Sequence, residues 1–429
     1  MRVGRAVSLA PLWRNRDWML FMAGQLLSTL GSQLTTIAYP LLVLALTHSP
    51  AKAGLVGFAR VLPTPLLGLV AGEAADRWDR KRIMIAADGI RAVAVAALAA
   101  AVLADATPLW LIVVAALAEG TGSVFFTGAQ VGAMRAVVPA PQLPAAVSAQ
   151  TARFAAVSLA GPPAGGALFN LGRSLPFLGD AASYSFSFVT LLAMRTPFQE
   201  ARRPDTASLR ARTAEGFRFL WSRPFLRTMT FIYGIGNFAL PGILLVIVVA
   251  GRRAGLSGGR IGALFAVFAA FLLIGSLASP LFRRRFSMRT IILIELWTWL
   301  GSGLYLIWPN VYVLTAAILP QAVAMPVTDS VVVGYRMAVT PDRLLGRVES
   351  VRMTLAQLAY PLGPLAAGIL LETTSSRATV AVFTMCGVVL AVWGTLSPAI
   401  RDAPRLEDAW DQSPSQSRLP PEAGRAPGS

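Results

Sequence analysis

The sequence predicts an all-α integral membrane protein with twelve transmembrane helices, arranged as two six-helix bundles. Three observations lead to this prediction: the composition, a series of apolar stretches, and an internal repeat. Of the 429 residues, 55% are hydrophobic and only 14% are charged, whereas about 25% of the residues in a soluble domain are charged. This composition excludes an ordinary soluble enzyme, a disordered protein and a disulfide-stapled secreted module.

Twelve apolar stretches recur along the chain, and each is long enough to cross about 30 Å of hydrocarbon. No alternating strand pattern accompanies them, so a membrane β-barrel is not expected. The predicted spans are residues 18–46, 53–73, 83–104, 108–132, 144–169, 175–194, 228–250, 259–281, 290–308, 311–335, 349–371 and 378–397.

The distribution of basic residues predicts the orientation of these spans. The net charge is +17, and most Lys and Arg residues fall in the two tails and in alternate loops. Because cytosolic loops are enriched in these residues, we expect a multi-pass protein of the cell membrane with both termini in the cytosol. The predicted domains are a cytosolic tail (1–17), a first bundle (18–195), a cytosolic linker (196–227), a second bundle (228–400) and a disordered cytosolic tail (401–429).

The two halves of the chain resemble each other at an offset of 202 residues. Matched pairs are Gly132 with Gly334, Pro139 with Pro341, Gly161 with Gly363, Pro162 with Pro364 and Gly166 with Gly368. This offset contains an even number of helices, so the repeat is parallel. Two parallel repeats are related by a pseudo-two-fold axis along the membrane normal.

The loop after the second span reads GEAADRWDRKR and resembles the signature G-x-x-x-D-R-x-G-R-[RK] of the major facilitator superfamily, with Asp79 in place of the second glycine. Its signature positions are Gly72, Asp76, Arg77, Arg80 and Lys81. The resemblance implies that Asp76 docks near the start of the eleventh helix, at residues 341–349, and that the basic residues form a charge latch that can break. The alternative is a basic cytosolic loop with no switching role.

A second motif, on the fifth helix, is similar to the antiporter sequence G-x-x-x-G-P-x-x-G-G of drug exporters, with Val157 in place of the first glycine. Its members are Gly161, Pro162, Gly165 and Gly166. Segments 180–184, 216–221 and 341–348 also resemble the multidrug and macrolide efflux branch of this superfamily. The resemblance implies the major facilitator fold and proton-coupled export. The alternative is a tight helix crossing without such a role.

In the fold that the resemblance implies, helices 1, 4, 7 and 10 line a central cavity. Polar and aromatic residues on these helices are therefore candidates for contact with cargo. The candidates are Gln25, Thr29, Phe126, Tyr233, Asn237 and Gln321. The alternative is that they form hydrogen bonds between helices without touching cargo.

Carboxylates within the spans are candidates for proton coupling, since ionisable groups in a membrane are costly and usually functional. Glu119 is the first candidate and Asp329 the second, with Arg60 and Arg153 as counter-charges for Glu119. The alternative is a static pair between Glu119 and an arginine. We also expect Asp329 to pair with Arg336, Asp88 to form an intrahelical pair with Arg91, and Glu295 to reach toward the membrane surface.

These observations predict a monomeric secondary transporter that exports small amphipathic or cationic organic molecules against an inward flow of protons. No P-loop is present, so ATP is not the direct energy source. The lone His48 and lone Cys386 suggest no metal site, and no cofactor or nucleic-acid partner is expected. The alternatives are nutrient uptake or siderophore export, for which Arg60 and Arg153 would suit an anion, a membrane enzyme, and a transport-inactive sensor or scaffold.

Overall fold

The computed structural model describes residues 11–199 and 209–402, which are almost entirely helical and contain no strand. Ten helices of this part are long and apolar enough to cross a membrane. Two more helices, Leu143–Leu171 and Leu175–Ala193, pack among them. The prediction of an all-α membrane protein with twelve helices is confirmed. Of the predicted disordered tail, 401–429, residues 403–429 lie outside the described residues, and Arg401 is the last residue of a short helix, Pro398–Arg401. Residues 1–10 of the predicted N-terminal tail also lie outside the described residues.

The first half contains six helices, which we label in chain order. They are α1 (Arg16–Thr47), α2 (Pro50–Val61 and Pro63–Arg77), α3 (Arg80–Leu103), α4 (Leu109–Val137), α5 (Leu143–Leu171) and α6 (Leu175–Ala193). Asn15 begins α1 by accepting a hydrogen bond from the backbone N–H of Trp18, which satisfies a donor that the helix leaves unpaired. Leu62 separates the two segments of α2, and the second begins at a proline, which lacks the N–H of a helix interior.

A short linker helix, Leu209–Ser222, precedes the second half. The six helices that follow are α7 (Pro224–Arg253), α8 (Gly258–Arg285), α9 (Met288–Thr298, continuing through a 3-10 turn to Ile307), α10 (Val311–Val339), α11 (Asp342–Gln357 and Leu362–Thr373) and α12 (Ser376–Leu396). Several predicted boundaries differ from the structure, by up to seven residues. Helix α7 begins four residues before the predicted 228, and α11 begins seven residues before the predicted 349, because each helix continues through a polar turn that hydropathy alone does not count.

Helix packing in the second half repeats that of the first half. In the first half, α1 packs against α5 and α6, α3 packs against α4 and α6, and α2 packs against α4. In the second half, the equivalent contacts join α7 to α11 and α12, α9 to α10 and α12, and α8 to α10. The halves meet where α5 packs against α8 and α2 packs against α11. A pseudo-two-fold axis exchanges these two interfaces, in agreement with the parallel repeat in the sequence.

The bundle has two unlike ends. At one end, which we call the basic end, lie Arg77, Arg80 and the arginines at 283–285. At the opposite end, the distal end, the two halves are in close contact. There the backbone of Gly166 on α5 packs directly against the carbonyl of Gly258 on α8. On the other interface, Glu372 of α11 accepts hydrogen bonds from the hydroxyl of Ser49 and, at 2.9 Å, from the backbone N–H of Ala51 at the start of α2.

The contact of Gly166 with Gly258 leaves no room for a methyl group. A Cβ at position 166 would lie 2.0 Å from the Gly258 carbonyl oxygen, so Gly166→Ala forces α5 and α8 apart at a cost of about 1–3 kcal/mol. We expect the distal end to open more often. Spin labels on Asp105→Cys and Thr374→Cys, in a Cys386→Ala background, report this opening. We expect the distribution of distances between the two labels to shift to longer values.

Gly68→Ala is the matched control for this experiment, because no atom lies within 4 Å of the Cβ position at residue 68. We expect its distance distribution to match that of the parent protein. A Gly166→Ala protein with the parent's distribution would contradict the role of this contact in sealing the distal end.

Candidate functional site

A cavity of about 800 Å³ lies between the two halves, and we call it the central cavity. Its volume is within the range of pockets that hold drug-sized molecules. The two walls differ in chemistry. The wall from the first half is mostly polar and includes Gln25, Ser28, Thr29, Ser32, Gln33, Thr36, Arg60, Glu119, Ser123, Thr127, Gln130, Gln150, Thr151 and Arg153. The wall from the second half is mostly apolar and consists of Pro241, Leu244, Leu245, Val248, Phe265, Tyr360 and Pro364.

A second cavity of about 870 Å³ connects the central cavity with the basic end. The two cavities share Thr64, Ser123 and Thr127 as lining residues. The second cavity then runs between the end of α2 and the first segment of α11. A molecule in the central cavity therefore has a path to the basic end, while close helix contacts block the distal end.

An ion pair between α2 and α4 lies on the polar wall. The Nη2 atom of Arg60 is 2.5 Å from Oε1 of Glu119, and Nε of Arg60 donates a second hydrogen bond of 3.2 Å to the same oxygen. The Glu119 side chain is only 4% exposed and that of Arg60 18%. The sequence predicted two counter-charges for Glu119, and the structure brings Arg60 to it, while Arg153 lines the cavity without pairing with Glu119.

Helices α1 and α6 complete the surroundings of this pair. Arg60 donates hydrogen bonds to the Ser32 carbonyl at 3.1 Å and to the Thr36 hydroxyl at 3.2 Å. The Tyr184 hydroxyl donates to Oε1 of Glu119 at 3.3 Å and shares a 2.8 Å hydrogen bond with the Ser32 hydroxyl. Oε2 of Glu119 is buried and has no hydrogen-bond partner among the described residues. One carboxylate oxygen thus accepts all of these hydrogen bonds, and the other accepts none.

Asp180 on α6 is a buried carboxylate that sequence reasoning did not select as a site residue. Its Oδ2 accepts a 2.9 Å hydrogen bond from the Thr35 hydroxyl, and its side chain is fully buried. No ion pair to it is formed within 11–199 and 209–402 under a 4.0 Å limit. A carboxylate within an apolar span was the signal that could have found it, since the same signal selected Glu119.

The predicted intrahelical pair of Asp88 and Arg91 is confirmed, and it is buried on α3. The Arg91 guanidinium also lies over two rings, 4.3 Å from the centroid of Tyr184 and 4.9 Å from that of Phe126. Since Tyr184 contacts Glu119, the two ion pairs belong to one buried network. Arg91 also lines the central cavity, which the sequence did not predict.

The predicted cavity residues divide between the two halves. Gln25, Thr29 and Phe126 of the first half line the central cavity. Tyr233, Asn237 and Gln321 of the second half line neither of the two cavities described above.

The second-half candidates instead contact neighbouring helices. Asn237 donates a 2.9 Å hydrogen bond to the Ala356 carbonyl of α11. Gln321 donates to Glu295 at 3.3 Å and accepts from Thr298, both on α9. The Tyr233 ring lies 5.9 Å from the Arg352 guanidinium. At these three positions the geometry favours the alternative of hydrogen bonds and packing between helices.

Two expectations about acidic residues of the second half are wrong. Glu295 does not reach toward the membrane surface, because it accepts the hydrogen bond from Gln321 in the interior of the second half. Arg336 pairs with Glu349 at 2.8 Å rather than with Asp329. Asp329 lines neither of the two cavities.

The acidic groups described above do not form a metal site. Within residues 11–199 and 209–402, no group of three or more His, Cys, Asp and Glu side chains is placed to hold a metal ion. The lone histidine, His48, ends α1 in a left-handed conformation at the distal end. Its position is that of a helix cap rather than a ligand.

Comparison with known proteins identifies the family. The sequence model of the Major Facilitator Superfamily matches residues 21–296. The chain belongs to this superfamily. It is similar to the multidrug efflux pump Tap of Mycolicibacterium fortuitum, with 27% identity over 404 residues that cover 90% of this chain and 96% of that pump. It is also similar to the macrolide efflux protein A of Streptococcus pyogenes, with 28% identity over 131 residues. That match covers 30% of this chain and 32% of the efflux protein.

Among solved structures, the chain is similar to a bacterial homologue of the human lysosomal transporter Spinster in an inward-facing and unoccupied conformation. The TM-score is 0.71 at 16% identity, and the match covers 93% of this chain and 99% of that one. The major facilitator fold predicted from the sequence is therefore confirmed, and the chain is a multi-pass membrane protein.

The superfamily signature in the loop after α2 does not need a glycine at position 79. Asp79 has a φ of −61°, which needs no glycine, and its carboxylate accepts a 3.0 Å hydrogen bond from the backbone N–H of Arg82. Asp79 therefore acts as the N-cap of α3. The loop has exchanged a flexible residue for one that stabilises the helix start.

The basic residues of the signature contact the ends of neighbouring helices. Arg80 lies 3.6 Å from Asp76, and its guanidinium occupies the space that a side chain at Gly132 would fill. Lys81 donates a 2.6 Å hydrogen bond to the Met194 carbonyl at the end of α6, and Arg77 pairs with Glu73. Asp76 and Gly72 line the second cavity, across which lies the start of α11.

The antiporter-like motif lies at two close helix crossings. Gly161 and Gly165 face α1, where a Cβ at position 165 would lie 2.2 Å from the Leu34 carbonyl oxygen. Pro162 and Gly166 face α8, where the Pro162 carbonyl packs against Gly262. On one side of the motif, α5 therefore packs against α1 of its own half. On the adjacent side, it packs against α8 of the other half.

The buried pair predicts a large effect from removing one partner. Arg60→Gln leaves the Glu119 carboxylate buried without its cation, which costs about 3–5 kcal/mol. We expect a marked fall in the unfolding midpoint of the purified protein, measured by tryptophan fluorescence. The double variant Arg60→Gln, Glu119→Gln recovers part of the loss, because no charge is then left unpaired.

Arg77→Gln is the control for this prediction. Arg77 also pairs with a glutamate, but its side chain is 70% exposed, and exposed pairs contribute only about 0–1 kcal/mol. A double variant no more stable than Arg60→Gln alone would contradict the interpretation of the pair as a mutually dependent unit.

Proposed function

We propose that this chain is a secondary transporter that exports small amphipathic organic molecules across the cell membrane in exchange for protons, acting as a monomer. The observation that carries the proposal is the central cavity, which has a buried carboxylate–arginine pair on its wall and an open path to one end only. The named activities of its relatives, multidrug efflux and macrolide efflux, support the same class of cargo.

The positive-inside rule assigns the basic end to the cytosol, with both chain termini on that side. The cavity then opens to the cytosol, where an exporter collects its cargo. The similarity to a structure described as inward-facing supports this assignment. The distal end, with its contacts between α5 and α8 and between α2 and α11, becomes the closed exit.

Alternating access would follow from rocking of residues 1–200 against residues 225–400 around the central cavity. To open the exit, the contact of Gly166 with Gly258 and the contacts of Glu372 with the start of α2 must break. Closure of the basic end would bring Asp76 to the start of α11. Arg343, near that start, is 3.2 Å from Glu215 of the linker helix in the present conformation.

Glu119 is the proposed proton carrier of the exchange. When the exit is open, a proton from outside would bind the free Oε2 of Glu119 and neutralise the carboxylate, which weakens its pairing with Arg60. When the basic end is open, Glu119 would release the proton to the cytosol and pair with Arg60 again. Asp329 stays the second candidate, although it lies away from the two cavities.

Glu119→Gln tests the coupling, because an amide cannot carry the proton. We expect loss of proton-driven export of fluorescein and rhodamine 123 from cells that lack other pumps, with normal protein levels. Asp105→Asn, which removes a carboxylate from an exposed loop position outside both cavities, should export as the parent does. Undiminished export by Glu119→Gln with the parent's pH dependence would remove Glu119 from the mechanism.

Asp76→Asn tests the proposed latch at the basic end. The loss of this charge should slow closure, so the maximum rate of dye export falls several-fold while the half-saturating dye concentration changes little. Asp105→Asn, in a loop at the distal end, is the control. A change in half-saturation alone would be evidence against a latch.

A further inference from the structure

Arg153 on α5 is a cation of the central cavity that has no counter-charge. It lines the cavity, and its Nε and Nη1 atoms are buried without a hydrogen-bond partner. No ion pair within 4.0 Å joins Arg153 to a carboxylate in the described part of the chain. The other two arginines of the cavity wall, Arg60 and Arg91, pair with Glu119 and Asp88.

A guanidinium in this setting is energetically unfavourable. Burial removes water from its N–H groups, and an unpaired buried charge or donor costs free energy that a partner normally offsets. Glu119 is the sole carboxylate among the described residues lining the central cavity, and both of the hydrogen bonds that join it to Arg60 use the same oxygen. The protein thus supplies no counter-charge for Arg153 in this conformation. A bound molecule with a negative charge is the remaining source of one.

The surroundings of Arg153 fit one end of an amphipathic molecule. Gln150, on the same helix, also lines the cavity and offers amide N–H donors. Across the cavity stand apolar and aromatic side chains of the second half, including Leu244 and Phe265. An acidic group at Arg153 therefore leaves the rest of a ligand against an apolar wall.

We infer that Arg153 binds an acidic group of the cargo, so that the preferred cargo class is an amphipathic organic anion or zwitterion. A carboxylate or sulfonate would accept charge-assisted hydrogen bonds from the guanidinium, and an aromatic or aliphatic body would pack on α7, α8 and α11. This inference rests on the proposed function only in taking the central cavity as the cargo site. It differs from the sequence-based expectation of a cationic cargo, which depended on the charge of Glu119.

Two dyes with the same xanthene ring system test the inference. At neutral pH fluorescein is anionic and rhodamine 123 is cationic. Binding is measured by fluorescence anisotropy on the full chain in phosphatidylcholine nanodiscs, with empty nanodiscs as the blank. This lipid has no net charge, so anionic headgroups do not compete. A second set of nanodiscs that contain phosphatidylglycerol shows whether a lipid phosphate takes the same site and lowers fluorescein affinity.

We expect the parent protein to bind fluorescein more tightly than rhodamine 123. Arg153→Gln should weaken fluorescein binding at least about tenfold, the effect of losing a hydrogen bond to a charged group, and leave rhodamine 123 binding unchanged. Arg153→Lys keeps the charge and should retain part of the affinity. Arg260→Gln removes the same charge from an exposed position outside the cavity lining and should bind both dyes as the parent does.

Retained rhodamine 123 binding also shows that Arg153→Gln is folded. The inference is overturned if fluorescein does not bind, if its affinity is the same in Arg153→Gln as in the parent, or if phosphatidylglycerol alone abolishes its binding. Equal loss of both dyes in Arg153→Gln and Arg153→Lys also overturns it. The assay uses no proton gradient, so fluorescein binding that depends on Arg153 in a protein without proton-driven export would refute the proposed function and leave this inference intact.

Discussion

A charged side chain inside a membrane protein needs a partner, and the pair of Arg60 and Glu119 meets this requirement for the first half of the transporter. Its hydrogen bonds reach α1, α2, α4 and α6. These four helices are therefore connected by polar contacts where the hydrophobic effect gives little driving force, since lipid is as apolar as the helix surfaces. The same pair lies on the wall of the central cavity, so the interaction that joins these helices is also part of the proposed cargo site.

The two halves share one packing pattern but differ in polar chemistry. Equivalent helices make equivalent contacts, and the interfaces of α5 with α8 and of α2 with α11 are exchanged by the pseudo-two-fold axis. The charged network that lines the central cavity is found in the first half, whereas Glu295, Gln321 and Asn237 of the second half bond to their own neighbours. The result is a cavity with one polar wall and one apolar wall, which suits an amphipathic molecule.

Small residues at the distal end let the two halves approach each other closely. The backbones of Gly166 and Gly258 are in direct contact because neither residue has a Cβ. Such a contact relies on van der Waals packing and on the few hydrogen bonds of Glu372. The proposed alternating access requires these contacts to separate and to form again.

The sequence by itself determined the helices, the parallel repeat, the superfamily signature and the identity of Glu119 as a buried carboxylate. These features depend on local composition and periodicity, which a linear chain displays directly. Only the tertiary structure decided which arginine pairs with Glu119 and that Tyr233, Asn237 and Gln321 face neighbouring helices. It also decided that Thr35 links Asp180 to this pair, because the Thr35 hydroxyl accepts from Arg60 and donates to Asp180. A sequence shows which face of a helix is polar, but the neighbour that this face meets depends on packing between distant segments, as for Ser49 and Glu372, which lie 323 residues apart.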